Sequence, residues 1–176
     1  MRRLFMLVVA ATIPALSLLG CGSDSDGGSN NGGSSGAAGG SSVTQCVGNN
    51  AEFTHAEFLA QTQDGKACSE ASDVTTVCAN NMPVVGGTCG KGCLGMDNEG
   101  TCVAECIQDA LTMAHSEPLS VGCLTCYVED VGCARDNCLA PCGLNPSSEA
   151  CFTCRTDKGC VDAFYECSGL PEPGGG

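Results

Sequence analysis

The stretch Cys123 to Cys133, "CLTCYVEDVGC", puts three cysteines into eleven positions, and a related stretch, "CFTCRTDKGC", runs from Cys151 to Cys160. Such thiols can hold a metal, exchange electrons or staple a fold, and the choice among these decides the architecture. Ser120 stands three residues before Cys123 and Ser148 three before Cys151, so each serine can cap a short helix by accepting a bond from a free backbone N–H. The two CxxC pairs are offset by 28 residues, and each is followed by an acidic, polar stretch that reads as a turn and then by Gly-Cys, at Gly132-Cys133 and Gly159-Cys160. The pattern predicts two stapled helix-turn-helix units, about 119–142 and 147–169. In the first, the second helix carries Cys138 and stops near Pro141 and Gly143. In the second, Cys160, Phe164 and Cys167 share a face before Gly169 and Pro171.

Composition around these units favours staples. The segment from Cys46 to Leu170 holds 16 of the chain's 17 cysteines in 125 residues. Leu, Ile, Val and Phe supply only 23 of those residues, and 17 acids stand against five bases. Without cross-links, so thin a core would not offset the entropy of ordering a chain that also repels itself. The five bases, Lys66, Lys91, Arg135, Arg155 and Lys158, are scattered singly, whereas nucleic acid calls for a basic patch. No nucleic-acid partner is expected.

Helix periodicity continues upstream. "EFTHAEFLAQTQ" (52–63) offers a helix capped by Thr54, with Phe58, Leu59 and Thr62 on one side, and a second runs from about Ser69 to Ala79 with Val74, Val77 and Cys78 on one face. The Gly-dense segment 80–100, with Pro83, reads as a loop carrying Cys89 and Cys93. "TCVAECIQDALTMAH" (101–115) gives the clearest amphipathic helix, with Cys102, Cys106, Ile107 and Leu111 in the apolar stripe and Glu105, Gln108, Asp109 and Thr112 opposite. Positions four apart on a helix are too distant for a disulfide, so Cys102 and Cys106 are expected to reach another segment. The closing "LPEPGGG" has no means of folding alone, and residues 171–176 are expected to form a disordered tail.

The N-terminus reads as an export signal. Arg2 and Arg3 precede an apolar run from Leu4 to Leu19 of 16 residues, interrupted by Pro14, which is short of the roughly 20 needed to span a bilayer. Leu18, Leu19, Gly20 and Cys21 resemble the lipobox of bacterial lipoproteins. The resemblance implies cleavage after Gly20, with residues 1–20 as signal peptide, and acylation of Cys21, whose lipid is then the only prosthetic group expected. Residue 22 is Gly rather than Asp, so the inner-membrane retention signal of that family is absent and the outer membrane is favoured. Residues 22–45 carry eight Gly and seven Ser in 24 positions, so 21–45 reads as a lipidated cysteine and flexible linker spanning on the order of 25–30 Å. With the lipobox, linker, helical CxxC units and closing "FYECSGLP", the chain resembles the cysteine-rich lipoproteins of predatory gliding bacteria.

With Cys21 assigned to lipid, an even set of 16 cysteines remains, which in an oxidising compartment reads as up to eight disulfides. The same cysteines also fit other chemistries by spacing. Cys123, Cys126, Cys151 and Cys154 have zinc-ligand spacing, and the CxxxC pairs Cys89/Cys93, Cys102/Cys106 and Cys138/Cys142 faintly resemble copper(I)-storing helical bundles. Gly or Pro breaks every ten to fifteen residues argue against the long helices such bundles need. Glu129, Asp130 and Asp136 read as a solvated acidic face, with weak calcium binding as the alternative. His55 and His115 lack neighbours that suggest catalysis, so no catalytic and no metal residues are assigned and no enzyme activity is expected. The expectation is an all-α, small disulfide-rich domain of short helices over 46–170, preceded by a signal peptide and a disordered Gly/Ser tether. It would be a non-catalytic interaction or structural module of the cell envelope, lipid-anchored to the bilayer and facing envelope or surface proteins. A thiolate metal-binding protein, taking copper or zinc, is the alternative.

Overall fold

The computed structural model describes residues 45–174, so the proposed signal peptide, Cys21, and all but the last residue of the Gly/Ser linker lie outside the described residues. Every regular element among the described residues is helical. A single 3-10 turn at Gly48–Asn50 precedes α1 (His55–Gln61), α2 (Ala71–Ala79), α3 (Met82–Gly92), α4 (Glu99–Met113), α5 (Val121–Leu144), α6 (Glu149–Asp157) and α7 (Cys160–Ser168). None of these helices is long and apolar enough to cross a membrane. Start signals act as the sequence suggests. The Thr54 hydroxyl and the Glu57 carboxylate form a reciprocal capping box at α1, while Ser120 and Ser148 accept from the backbone N–H groups of Cys123 and Cys151.

All sixteen cysteines of this region are joined in eight disulfides. Six of the eight form two nested ladders. In the first, Cys93–Cys102 lies inside Cys89–Cys106 and fastens α3 to α4. Cys102 and Cys106 thus reach a neighbouring helix, as expected from their spacing. In the second, Cys142–Cys151 lies inside Cys138–Cys154, then Cys133–Cys160, then Cys126–Cys167. Four rungs therefore run along α5, joining its later half to α6 and its earlier half to α7. The remaining two, Cys46–Cys78 and Cys68–Cys123, interlace in sequence and tie the segment before the 3-10 turn to α2 and the α1–α2 connection to α5.

Helical geometry explains the rung spacing. Residues three, four or seven apart return to one helix face, and the second ladder uses seven (126 to 133 and 160 to 167), four (138 to 142) and three (151 to 154). Between Cys133 and Cys138 the step is five, about 140° out of line in a straight helix. At that point α5 kinks, with Cys138 at φ −131° and ψ 22°. Pro141 supplies a cause, because it has no N–H to offer the carbonyl of Asn137, four residues back. The opposing chain breaks to match, at Gly159 with φ +71° between α6 and α7. Two straight pieces thus face two straight pieces.

Several local expectations are corrected. The acidic stretch before Gly132-Cys133 is no turn: α5 continues through it and past Pro141 to Leu144, because Gly132 keeps a helical backbone while Gly159 is left-handed. The two repeat-like units are accordingly stapled to each other rather than each to itself. The Gly-dense 80–100 segment is largely the helix α3, with Pro83 in its first turn, where a missing N–H costs nothing. Its glycines serve close packing. A Cβ on Gly86 would sit 3.3 Å from Val131 Cγ2, one on Gly90 would sit 2.7 Å from Val131 Cγ1, and one on Gly87 would overlap Pro146.

The core joins Phe58, Val74, Val77, Met82, Ile107 and Leu111 to the cystines. Leu59, expected beside Phe58, is instead exposed. Gln108, expected on the polar face of α4, turns to clamp Leu119, donating to its carbonyl at 2.8 Å and accepting from its N–H at 3.0 Å. Thr76 of α2 and Asn80, which follows its last residue, hold the same connection, donating to the Glu117 carbonyl and the Ser116 hydroxyl. At the C-terminus, the expectation of an exposed "LPEPGGG" fails at its first residue. Leu170 is buried in the core, and the Gly174 N–H donates to the Glu52 carboxylate. The backbone just before it, Cys167 to Gly169, accepts bonds from Ala67, Cys68 and Gln63, which docks the end of α7 onto the α1–α2 connection.

Candidate functional site

The thiol clusters singled out by spacing are dispersed into disulfides. Cys123 bonds to Cys68, Cys126 to Cys167, Cys151 to Cys142 and Cys154 to Cys138, so the two CxxC pairs do not converge on one centre. The CxxxC pairs likewise form the rungs of the two ladders. A sulfur in a disulfide is no longer the thiolate that a soft metal or a redox exchange requires. Among the described residues, no group of three or more His, Cys, Asp or Glu is arranged to hold a metal ion.

The acidic trio also separates. Asp130 is paired with Arg155, Asp136 with Arg135, and Glu129 is exposed. Of the histidines, His55 shares a 3.1 Å hydrogen bond with the Thr75 hydroxyl, linking α1 to α2. His115 occupies a left-handed position after α4, at φ +58°. Its N–H reaches the Thr112 carbonyl and the Ser116 N–H reaches the Leu111 carbonyl, which together close the helix in a Schellman motif. Both histidines therefore have local structural work.

The feature that spacing did not reveal is a cleft of about 110 Å³ between α3, α5, α6 and α7. On the α3 side it is lined by Gly86, Gly87 and Gly90. The facing wall brings Tyr127, Val131 and Leu139 from α5, Phe152 from α6, and Phe164 and Tyr165 from α7. The aromatic rings form a chain, with Tyr127 and Phe164 centroids 4.9 Å apart and Phe164 and Tyr165 5.2 Å apart. The Cys142–Cys151 rung lies in the lining itself.

An ion pair is set into this apolar surround. Arg155 Nη2 donates to both carboxylate oxygens of Asp130, at 2.6 and 2.7 Å, and both side chains are largely buried, 13% and 15% exposed. Burial pushes the Asp130 carboxyl up from its ordinary value, against the opposing pull of Arg155. Burial likewise raises the Tyr127 phenol well above its ordinary value, and Tyr165 follows for the same reason. At the cleft margin, Arg135 is engaged by Glu99 and Asp136. The arrangement offers no nucleophile beside a general base and no activated thiol; what it offers is a shaped apolar recess with polar groups at a few points.

The sequence signals for this cleft were present but mute. The α3 glycines look like a loop until Val131 is placed against them, and Asp130 and Arg155, 25 residues apart, look like unrelated surface charges. Comparison with protein-family models, with curated proteins and with solved structures finds no match to the chain.

Proposed function

We propose that this chain is a lipid-anchored lipoprotein of the cell envelope, whose disulfide-rich helical domain has a structural or interaction role rather than a catalytic one. The observation that carries the reading is the complete pairing of the sixteen cysteines from Cys46 to Cys167, which sets the seventeenth, Cys21, apart. Eight disulfides suit an exported chain and not a reducing cytosol. The segment before Cys21 supplies the matching export features: two arginines, an apolar run and a lipobox-like Leu-Leu-Gly-Cys. Several acyl chains at about 0.8 kcal/mol per buried methylene would make the anchor effectively permanent. The Gly/Ser linker would then hold the domain off the bilayer, and Gly22 favours the outer membrane.

Metabolic labelling with radioactive palmitate tests the anchor. Label is expected on the native chain and absent from the Cys21→Ser variant, which should also leave the membrane fraction. A native chain that takes up no label, or a variant that labels equally, would sink the lipoprotein reading.

A further inference from the structure

We infer that α3 and α4 form a hinged flap, one cross-linked body whose tip swings away from α5, so that the α3 side of the cleft is a movable wall. The first ground is the routing of the disulfides. Cys89–Cys106 and Cys93–Cys102 join α3 to α4 and to nothing else, and none of the other six reaches residues 82–113. By contrast, four disulfides hold α5 to α6 and α7, and Cys68–Cys123 fastens the α1–α2 connection to α5. With every disulfide intact, residues 82–113 are the one cross-linked body that can part from α5 as a unit.

Hydrogen bonds place a hinge at one end of this body and a latch at the other. Asn80, just before α3, donates to the hydroxyl of Ser116, just after α4, at 2.8 Å, so the chain enters and leaves the flap side by side. Gln108 and Thr76 pin Leu119 and Glu117 at the same end. Met82 at the start of α3, and Ile107 and Leu111 in the second half of α4, are buried near it. At the opposite end the turn between the helices leaves Leu94 and Met96 exposed, at 44% and 53%. There Glu99, the first residue of α4, pairs with Arg135 of α5. Among the described residues this is the only hydrogen bond or ion pair that joins residues 82–113 to residues 121–174. Both partners are partly exposed, at 22% and 34%, so the latch is weak.

Between hinge and latch the seam is built of glycine. Gly86 and Gly90 face Val131, Gly87 faces Pro146, and Gly100 faces Val128. A glycine has no side chain to interlock with its neighbour, so parting these surfaces costs dispersion contacts and meets no steric catch. A hinge needs only a few residues to absorb the change in backbone angles, here 80–81 and 114–120. Because Gly87, Lys91 and Leu94 line the cleft from the flap side, movement of the tip widens it beyond its 110 Å³ and uncovers Val131 and the buried Tyr127 on the stapled side.

NMR relaxation dispersion on the oxidised full chain tests the flap, since opening on the microsecond-to-millisecond scale to a state populated on the order of 1% falls within its window. One exchange rate is expected to be shared by α3, α4, Val128 and Val131, while α6 and α7 stay quiet. Arg135→Gln removes the latch and should raise the open population roughly two- to fivefold. Added salt should raise it less strongly in the native chain and should not raise it in the variant. Gly90→Cys combined with Val131→Cys supplies the missing disulfide across the seam, because a Cβ on Gly90 lies 2.7 Å from Val131 Cγ1, and should abolish the exchange once peptide mapping confirms the new pair. Exchange that is absent, confined to residues 93–98, shared by α6 and α7, or unchanged by Arg135→Gln would each overturn the proposal.

Discussion

Asp73, fully buried in α2, accepts both the backbone N–H and the hydroxyl of Ser120, at 2.7 and 2.6 Å, while the same hydroxyl accepts from Cys123 at the start of α5. The N-terminus of the longest helix is thus capped by its own serine and, through it, by a carboxylate 47 residues earlier, in the charge sense a helix N-terminus favours. Removing Asp73 leaves the partly buried Ser120 N–H without an acceptor, whereas removing Ser120 forfeits one cap. Asp73→Ala should therefore cost about 2–4 kcal/mol and Ser120→Ala about 1–2 kcal/mol in denaturant unfolding of the oxidised protein. The double variant should fall short of the sum, because the two residues share one network. Additive losses would show that the contact is not cooperative.

The α3 glycines give a prediction with an inverted sign. Alanine for glycine inside a helix normally stabilises by about 0.5–1 kcal/mol. Gly132, on α5, has open space where a Cβ would go and should behave so. At Gly90 the added carbon would lie 2.7 Å from Val131 Cγ1, so Gly90→Ala should instead destabilise by about 1–2 kcal/mol. Val131→Ala should relieve most of that loss when combined with it. Thermal unfolding of the four proteins decides the matter.

His115 carries a left-handed backbone that glycine adopts without strain. His115→Gly should raise stability by about 0.5–1 kcal/mol, the relief of strain exceeding the added freedom of the unfolded chain. A fall in melting temperature would mean that the imidazole contributes something beyond closing α4.

Alkaline titration should read the buried phenols. Folded-state values for Tyr127 and Tyr165 lie above the ordinary phenol value because burial disfavours the phenolate. As pH rises past about 10, the unfolded chain releases these protons first, so stability falls, by up to about 1.4 kcal/mol per pH unit for each tyrosine. Tyr127→Phe should remove about half of that slope. Denaturant unfolding between pH 9 and about 11, kept brief to limit disulfide exchange, measures it.

Mass spectrometry after alkylation without reduction should show no modified cysteine between Cys46 and Cys167, and alkylation after reduction should modify all sixteen. Peptide mapping should recover the four nested pairs of α5 with α6 and α7 as one linked cluster. Several reactive thiols together with bound copper or zinc would favour a metal-thiolate protein instead.

What was legible in the sequence was local. Thr54, Ser120 and Ser148 announce helix starts, the stripe through Ile107 and Leu111 announces α4, and cysteine density announces a stapled all-helical domain. Cys102 and Cys106 could be denied to each other on geometry alone. The rest depended on neighbours remote in sequence. Gly86 and Gly90 look like breakers until Val131 approaches them, Gln108 looks solvent-facing until Leu119 needs a partner, and Leu170 looks like a loose end until the core receives it. Gly132 and Gly159 stand in similar local sequences yet take opposite backbone hands, so a repeat in sequence did not become a repeat in structure. The cleft was hidden for the same reason, since its walls come from four helices and its ion pair from two of them.

The interlaced pairs near the N-terminus impose an order on maturation. A chain emerging N-terminus first presents Cys46, Cys68 and Cys78 together, yet Cys68 must be kept from both until Cys123 follows, 55 residues later. The two ladders face no such wait: each can close from its innermost rung outward, Cys93–Cys102 and Cys142–Cys151 spanning only nine residues apiece. Scrambled isomers should therefore accumulate among Cys46, Cys68 and Cys78, where a disulfide isomerase would have most to correct.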